Sequence, residues 1–404
     1  MTAFHSIPST LAALKAGRMI IVVDDEDREN EGDLVMAAGH MTEEAMAFII
    51  RYTGGVVCLS LSNAIADQLE LPPMVQVNTA ARGTPFTVSI DAAKGITTGI
   101  SARDRAQTVQ MAARPTAKPR DFNRPGHIFP LRAADGGVLC RAGHTEAASD
   151  LCRLAGVRPA AVLSELMNDD GTMMRLAALR NFAKQHRIPI ITIADLIAYR
   201  RKNESFIRRR AETDLETATG LWHMIVYDDT CHHDEHVALI KGNISSSKPV
   251  TVRVHSECLT GDVLGSVHCD CGQQLRIAME QIEREGAGVL LYMRQEGRGI
   301  GLTNKIRAYD LQRRKGLDTA EANTALGFPV DLRDYGIGAQ ILKDLGAKRI
   351  RILTNNPKKV VGLSGYGIEI VEQLPLEMPQ PGKLQKKYLL AKKNKMGHVI
   401  RSIG

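Results

Sequence analysis

Apolar and polar positions alternate with two different periods along the first two hundred residues. Residues 9–16 carry a helical pattern that opens on serine and closes next to Gly17. Residues 19–23 are an unbroken apolar run, which fits a strand buried on both faces. The helical period returns over 43–52, 146–155 and 174–186, and strand-like runs occupy 55–61, 87–91 and 188–193. Interleaving of this kind predicts an α/β fold with mixed α+β layers. The pattern changes near 198–210, where a helix closes in the polar cluster 199–204. A second series of strands starts near Phe206 and continues through 221–227 and 237–241. We therefore divide the chain into domains 1–203 and 204–404. No internal period relates the halves, so they read as two unrelated tandem domains.

Composition narrows the function. The 404 residues are 24% charged and 44% hydrophobic, as in an ordinary globular protein. No segment approaches the roughly 18 apolar residues of a membrane span. Lys15 and Arg18 follow the first short apolar stretch, the wrong order for a secretory signal. Seven cysteines are too few for a disulfide scaffold and suit a reducing cytoplasm. The net charge of +7 invites a nucleic-acid reading, but its distribution argues against one. Residues 1–200 hold 21 basic and 21 acidic side chains, and 201–377 hold 24 of each. The excess lies in 378–404, with seven cations and no acid. That basic tail reads as solvated or loosely packed. With only 4% aromatics for base stacking, we expect no nucleic-acid partner and no membrane partner.

Candidate chemistry in the first half starts with Asp24–Asp33, seven carboxylates in ten residues directly after the first strand. Such a run is either a solvated loop or a hard-metal site, and oxygen ligands of this kind suit Mg²⁺. Further on, His127 lies in what reads as a turn, between Pro125-Gly126 and Pro130. Arg141-Ala142-Gly143-His144-Thr145-Glu146 offers a guanidinium, a glycine, an imidazole and a hydroxyl where a helix begins, a ready phosphate site. Glu165 is a carboxylate inside an apolar run, where burial raises its pKa toward neutrality.

These segments, with 98–105 and 169–173, resemble 3,4-dihydroxy-2-butanone 4-phosphate synthase across essentially all of residues 1–203. The resemblance implies conversion of ribulose 5-phosphate to dihydroxybutanone phosphate and formate, with Mg²⁺ or Mn²⁺ as cofactor. By the same resemblance Glu29 and His144 hold the metal, and Arg28, Glu29, Asp33, Arg141, Ala142, Gly143, His144, Thr145 and Glu165 contact substrate. The resemblance also implies that His127 and Glu165 carry the chemistry. Ser164 stands where the family usually has cysteine.

The second half has a sharper signal. Cys258, Cys269 and Cys271 fall within 14 positions. Three thiolates leave a zinc ion one open position for water, and His255 or His268 could close it as a fourth ligand. Residues 231–236 (Cys-His-His-Asp-Glu-His) read as a polar turn. The loop Arg294-Gln295-Glu296-Gly297-Arg298-Gly299-Ile300-Gly301 lets backbone amides approach an anion beside two arginines, without matching a dinucleotide or Walker pattern. Together with 331–334 and 354–359 these segments resemble GTP cyclohydrolase II over roughly 204–376. That implies hydrolysis of GTP to a diaminopyrimidine ribosyl phosphate, formate and pyrophosphate. By the resemblance Cys258, Cys269 and Cys271 bind Zn²⁺. The resemblance further implies that Arg253, Val254, His255, Ser256, Glu257, Gln274, Glu296, Gly297, Arg298, Thr319, Thr354 and Lys359 contact GTP, that Asp331 accepts a proton, and that Arg333 acts on the α-phosphorus. Arginine stays protonated near neutral pH, so an electrostatic clamp is the alternative role for Arg333. His268 stands where the family usually has arginine.

As a whole the chain resembles the bifunctional riboflavin-biosynthesis family, which implies a homodimer. A protein with one working half, the other being structural, is the competing reading.

Overall fold

The computed structural model describes residues 4–231, 234–244, 248–328, 333, 335–364, 366–377, 382, 385–386, 389–390 and 393. Asp331, His232, His233 and most of the basic tail lie outside the described residues. The chain divides into two compact units, Met1–Glu204 and Ser205–Gly404.

In the first unit seven strands, β1 (Ile20–Val23), β2 (Gly32–Ala37), β3 (Cys58–Leu61), β4 (Ile90–Ala92), β5 (Phe122–Arg132), β6 (Ala160–Glu165) and β7 (Ile190–Thr192), form one mixed sheet in the order β4-β5-β3-β6-β2-β1-β7. The apolar run of β1 is unbroken because both its faces are covered. Ile21 and Val23 join a core with Leu34 and Met36, capped by helices α2 (Glu43–Tyr52), α3 (Asn63–Gln68), α4 (Ala102–Ala112) and α6 (Leu176–His186). Ile20 and Val22 face the other way, with Val35, onto α1 (Ile7–Lys15), α5 (His144–Leu154) and α7 (Ile193–Asn203). The result is a three-layer α/β/α unit.

Two readings of this half need correction. The segment around His127 is no turn: it is the middle of β5, an 11-residue strand. Pro125, Gly126 and Pro130 mimic turn chemistry, but Gly126 is there because a Cβ would lie 2.0 Å from the Ile90 carbonyl carbon of β4. The acidic run also does not end in a loop, since Gly32 and Asp33 open the fully buried β2. Smaller shifts occur at ends: strand 87–91 moves to Ile90–Ala92, and Ile193 starts α7.

The second unit is also a seven-stranded mixed sheet, with different connectivity: β8 (Ile207–Thr217), β9 (Gly220–Asp229), β10 (Glu235–Lys241), β11 (Val250–Ser256), β12 (Gly288–Met293), β13 (Arg349–Leu353) and β14 (Glu369–Leu374), ordered β14-β13-β11-β12-β10-β9-β8. Strands β12, β11, β13 and β14 run parallel. Helix α9 (Cys271–Glu285) packs Ala278 and Ile282 against Trp222, Leu290 and Leu353. The loops leaving the carboxyl ends of β11, β12 and β13 are the cysteine, glycine and 354–359 segments, where open α/β sheets hold ligands. The tail is not wholly solvated: Gln385 is 8% and Leu389 3% exposed, because apolar residues are interleaved with its lysines.

Candidate active sites

In the first unit the acidic run folds around one carboxylate. Asp24 Oδ1 accepts the Glu31 amide at 2.8 Å, while Oδ2 accepts the Glu29 amide at 3.1 Å and Arg28 Nη1 at 2.9 Å. Asp24 thus organises the loop, a role the spacing did not single out. Glu29 is turned toward α5, with Oε2 4.0 Å from His144 Nδ1 and 2.5 Å from Arg28 Nη1. The other ring nitrogen, His144 Nε2, lies 3.7 Å from Asp33 Oδ1, and both atoms are buried without a hydrogen-bond partner. Asp24, Glu29 and His144 offer ligand atoms within 4.8 Å of one another. Burial pushes the His144 pKa down to about 4, so a neutral imidazole is available as a ligand. A neutral imidazole beside the carboxylates of Asp24 and Glu29 is a donor set that could hold a hard divalent cation.

Asp33 and Glu165 are register partners on adjacent strands β2 and β6. Burial, reinforced by neighbouring carboxylates, raises both above the ordinary carboxylate range. A folded pKa above the unfolded one stabilises at pH below about 4, and that contribution is lost as pH rises through the folded value. Glu165→Gln is therefore expected to raise the melting temperature of the first unit by a few degrees at pH 8 in metal-free buffer. The gain should vanish near pH 4, and equal melting temperatures at both pH values would contradict the assigned burial. Ser164 points away from Glu165 and is satisfied, donating to Val56 O at 2.9 Å or Thr53 Oγ1 at 2.8 Å, so serine fits this position.

The 141–146 turn meets the acidic loop at Gly143. A Cβ there would lie 2.5 Å from Arg141 Nη1, 2.7 Å from Glu146 Oε2 and 3.1 Å from Arg28 Nη2, so glycine is what lets these groups converge. Arg141 is held by Glu146 at 2.7 Å. Thr145 is buried in the first turn of α5, and Ala142 is exposed at the rim. His127 lies two residues before Phe129, which pairs with Cys58; Cys58 pairs with Leu163, two residues before Glu165. His127 and Glu165 thus stand at the same end of the sheet. His127 Nδ1 is 2.7 Å from Asp91 Oδ2, and its amide donates to Asp91 Oδ1 at 3.0 Å. Its side chain is 41% exposed. Asp91 was not marked by any motif.

In the second unit Cys258, Cys269 and Cys271 converge with sulfurs within 4.8 Å of one another. The Cys258 and Cys269 sulfurs are 3.6 Å apart, and hydrogen bonds from the other two cysteines, then Lys305, pull the Cys258 thiol pKa strongly down. A Cβ on Gly261 would lie 2.8 Å from Cys269 Sγ and 3.2 Å from Cys258 Sγ, so this glycine leaves room for the sulfur cradle. Neither histidine completes a fourth ligand. His268 is exposed and packs on Tyr309, with ring centroids 5.4 Å apart. His255 Nε2 lies 3.0–3.1 Å from the Asp262 carboxylate. The set fits a zinc ion with one open position.

Beside the cysteines opens a cleft of about 970 Å³, its mouth included. It is lined by Arg253, His255, Ser256, Glu257, Gln274, Glu296, Gly297, Arg298, Thr319, Thr354 and Lys359, and also by Arg333. Val254 is the exception: its side chain is buried toward Gly338, and its carbonyl accepts Lys359 Nζ at 2.7 Å. Arg253 is buried, bonded to Gln274 and the Leu353 carbonyl, and burial lowers its pKa to about 10. Gly297 and Arg298 take left-handed backbone angles, φ +63° and +65°, turning the loop over the cleft. Asp331 lies outside the described residues. Sequence reasoning missed Lys305 and Tyr309 on α10 (Gly301–Lys315) and Asn323, which line the same cleft; Asn355 and Asn356 of the 354–359 segment line it too.

The tail reaches this site. Gln385 donates to the Cys269 carbonyl at 3.3 Å. Truncation after Glu377 is expected to lower formate release from GTP several-fold and leave the reaction of ribulose 5-phosphate at full rate. Undiminished GTP turnover would show the contact to be dispensable.

Comparison with known proteins agrees with both halves. A family model for 3,4-dihydroxy-2-butanone 4-phosphate synthase matches residues 8–199, and one for GTP cyclohydrolase II matches 208–375. The riboflavin biosynthesis protein RibBA of Bacillus cereus is 57% identical over 98% of this chain and 99% of its own. That of Bacillus mycoides gives the same identity and coverage. The crystal structure of RibBX, a two domain 3,4-dihydroxy-2-butanone 4-phosphate synthase from A. baumannii, is 39% identical, covers 93% of this chain and 100% of its own, and has a TM-score of 0.69. The chain belongs to the bifunctional riboflavin-biosynthesis family, joining a 3,4-dihydroxy-2-butanone 4-phosphate synthase to a GTP cyclohydrolase II.

Proposed function

We propose that the first active site is built on Glu29 and His144, which hold Mg²⁺ or Mn²⁺. What supports this is the convergence of Glu29 and His144 with Asp24, their ligand atoms within 4.8 Å of one another, around an imidazole that burial keeps neutral. A divalent ion supplies positive charge against the oxygens that become negative when a proton leaves next to a ketone. Glu165, with Asp33 beside it, has the raised proton affinity that suits an acid–base pair. His127, oriented by Asp91, is the second proton carrier from the same end of the sheet. Arg28 and Arg141, with the N-terminus of α5, bind the phosphate of ribulose 5-phosphate.

In the second domain Cys258, Cys269 and Cys271 hold Zn²⁺, which when bound supplies an acidified water. Arg253 and Gln274 form a rigid wall for the nucleotide. Arg298, Lys359 and Arg333 supply cations for the triphosphate, with Thr319 and Thr354 as hydroxyl partners, and Arg333 acts as a clamp or as the group that engages the α-phosphorus. Asp331 is the proposed proton acceptor. The protein works as a cytoplasmic homodimer.

The test is formate release by chelator-stripped protein, with ribulose 5-phosphate and GTP in separate tubes. Magnesium should restore the first tube and zinc the second. One silent tube under both metals would favour a single working half, and swapped metal requirements would overturn the assignments.

A further inference from the structure

Three ionised thiolates outweigh a zinc ion by a net charge of about −1, and a centre that stays anionic makes a bound water less acidic. The cleft holds a cation against that excess. Lys305 on α10 is 8% exposed, and its Nζ donates to Cys258 Sγ at 3.1 Å and to Glu296 Oε1 at 2.8 Å. Glu296 in turn accepts the Leu259 amide through Oε2 at 2.7 Å. The contacts close a ring, Cys258–Leu259–Glu296–Lys305, that ties the cysteine loop to the glycine loop. An ammonium buried to this degree is costly unless paired, and both its partners are groups of this site. No motif marks Lys305, since it lies 47 residues beyond the cysteine it touches.

We infer that Lys305 is a positioning residue of the GTP reaction, which offsets the surplus thiolate charge at Cys258 and fixes that sulfur relative to Glu296. This rests on the zinc reading proposed above. A hydrogen bond to a ligating sulfur weakens its electron donation to the metal, and partners of this kind typically change affinity or activity by about 10–100-fold.

The experiment uses the full chain loaded with one equivalent of Co²⁺ and records the thiolate-to-cobalt charge-transfer band. Lys305→Met, which keeps the length without the charge, should move that band to longer wavelength, because an unbonded thiolate gives up charge more easily. Its GTP turnover with zinc should fall by about 10–100-fold, with formate release from ribulose 5-phosphate unchanged. Lys305→Arg should keep band and turnover close to wild type. An unshifted band in Lys305→Met overturns the inference even if turnover falls, because the lysine would then act on substrate alone. Should Lys305→Met take up no cobalt, Lys305→Arg decides: a wild-type band supports the charge role, and failure to bind overturns it. Absence of a thiolate band in the wild type is a distinct result that removes the zinc reading itself.

Discussion

Cys269→Ser is expected to abolish formate release from GTP and to leave the ribulose 5-phosphate reaction untouched. Cys269 is buried, its sulfur 3.6 Å from that of Cys258, and its carbonyl is held by Gln385. Serine preserves nearly the same volume, so the loop keeps its packing while one of the three proposed zinc ligands becomes a neutral hydroxyl. Metal-assisted hydrolysis draws several kcal/mol of transition-state stabilisation from its ion, and loss of that ion costs roughly a thousand-fold or more. Metal analysis should find zinc lost with the activity. The first unit has its own cores on both faces of its own sheet, which is why its reaction should continue at full rate. Retention of stoichiometric zinc would contradict the ligand set. Loss of both activities would contradict two independent sites.

The second large effect concerns a residue that no motif named. Asp91→Asn should lower kcat for ribulose 5-phosphate by about 10²–10⁴, the range that a positioned acid or base contributes. Asp91 grips His127 twice, at the ring and at the amide. The amide contact can survive in asparagine, whereas the charged partner of the ring cannot. Gly99→Ala should act through the same pair. Its Cβ would fall 2.2 Å from Asp91 Oδ2 and 2.6 Å from His127 Nδ1, on a backbone with φ +91°. His127→Ala, Asp91→Asn and Gly99→Ala should therefore be far from additive when combined. Additive losses would mean that His127 works without Asp91. GTP turnover serves as the internal control for all three.

Much of this was legible from local pattern. Periodicity gave the alternating layers, because burial on one face or two imposes its repeat on the residues themselves. The candidate ligand groups were legible too, since thiolates and carboxylates must be present whatever the fold. Errors arose where local chemistry pointed one way and packing another. The prolines and glycine around His127 look like a turn, yet the close passage of β4 makes Gly126 a strand residue. The basic tail looks solvated, yet Leu389 is buried and Gln385 holds the cysteine loop.

The sequence by itself determined the inventory: two unrelated α/β halves, a carboxylate and histidine set in one, three cysteines and a glycine loop in the other. Tertiary structure alone decided the pairings. Strand register set Asp33 beside Glu165, the packing of β4 on β5 brought Asp91 to His127, and α10 carried Lys305 to Cys258. Each of those contacts joins residues 36 to 132 positions apart. Local propensity acts over a few residues, whereas such pairs are fixed only when whole elements are buried against one another.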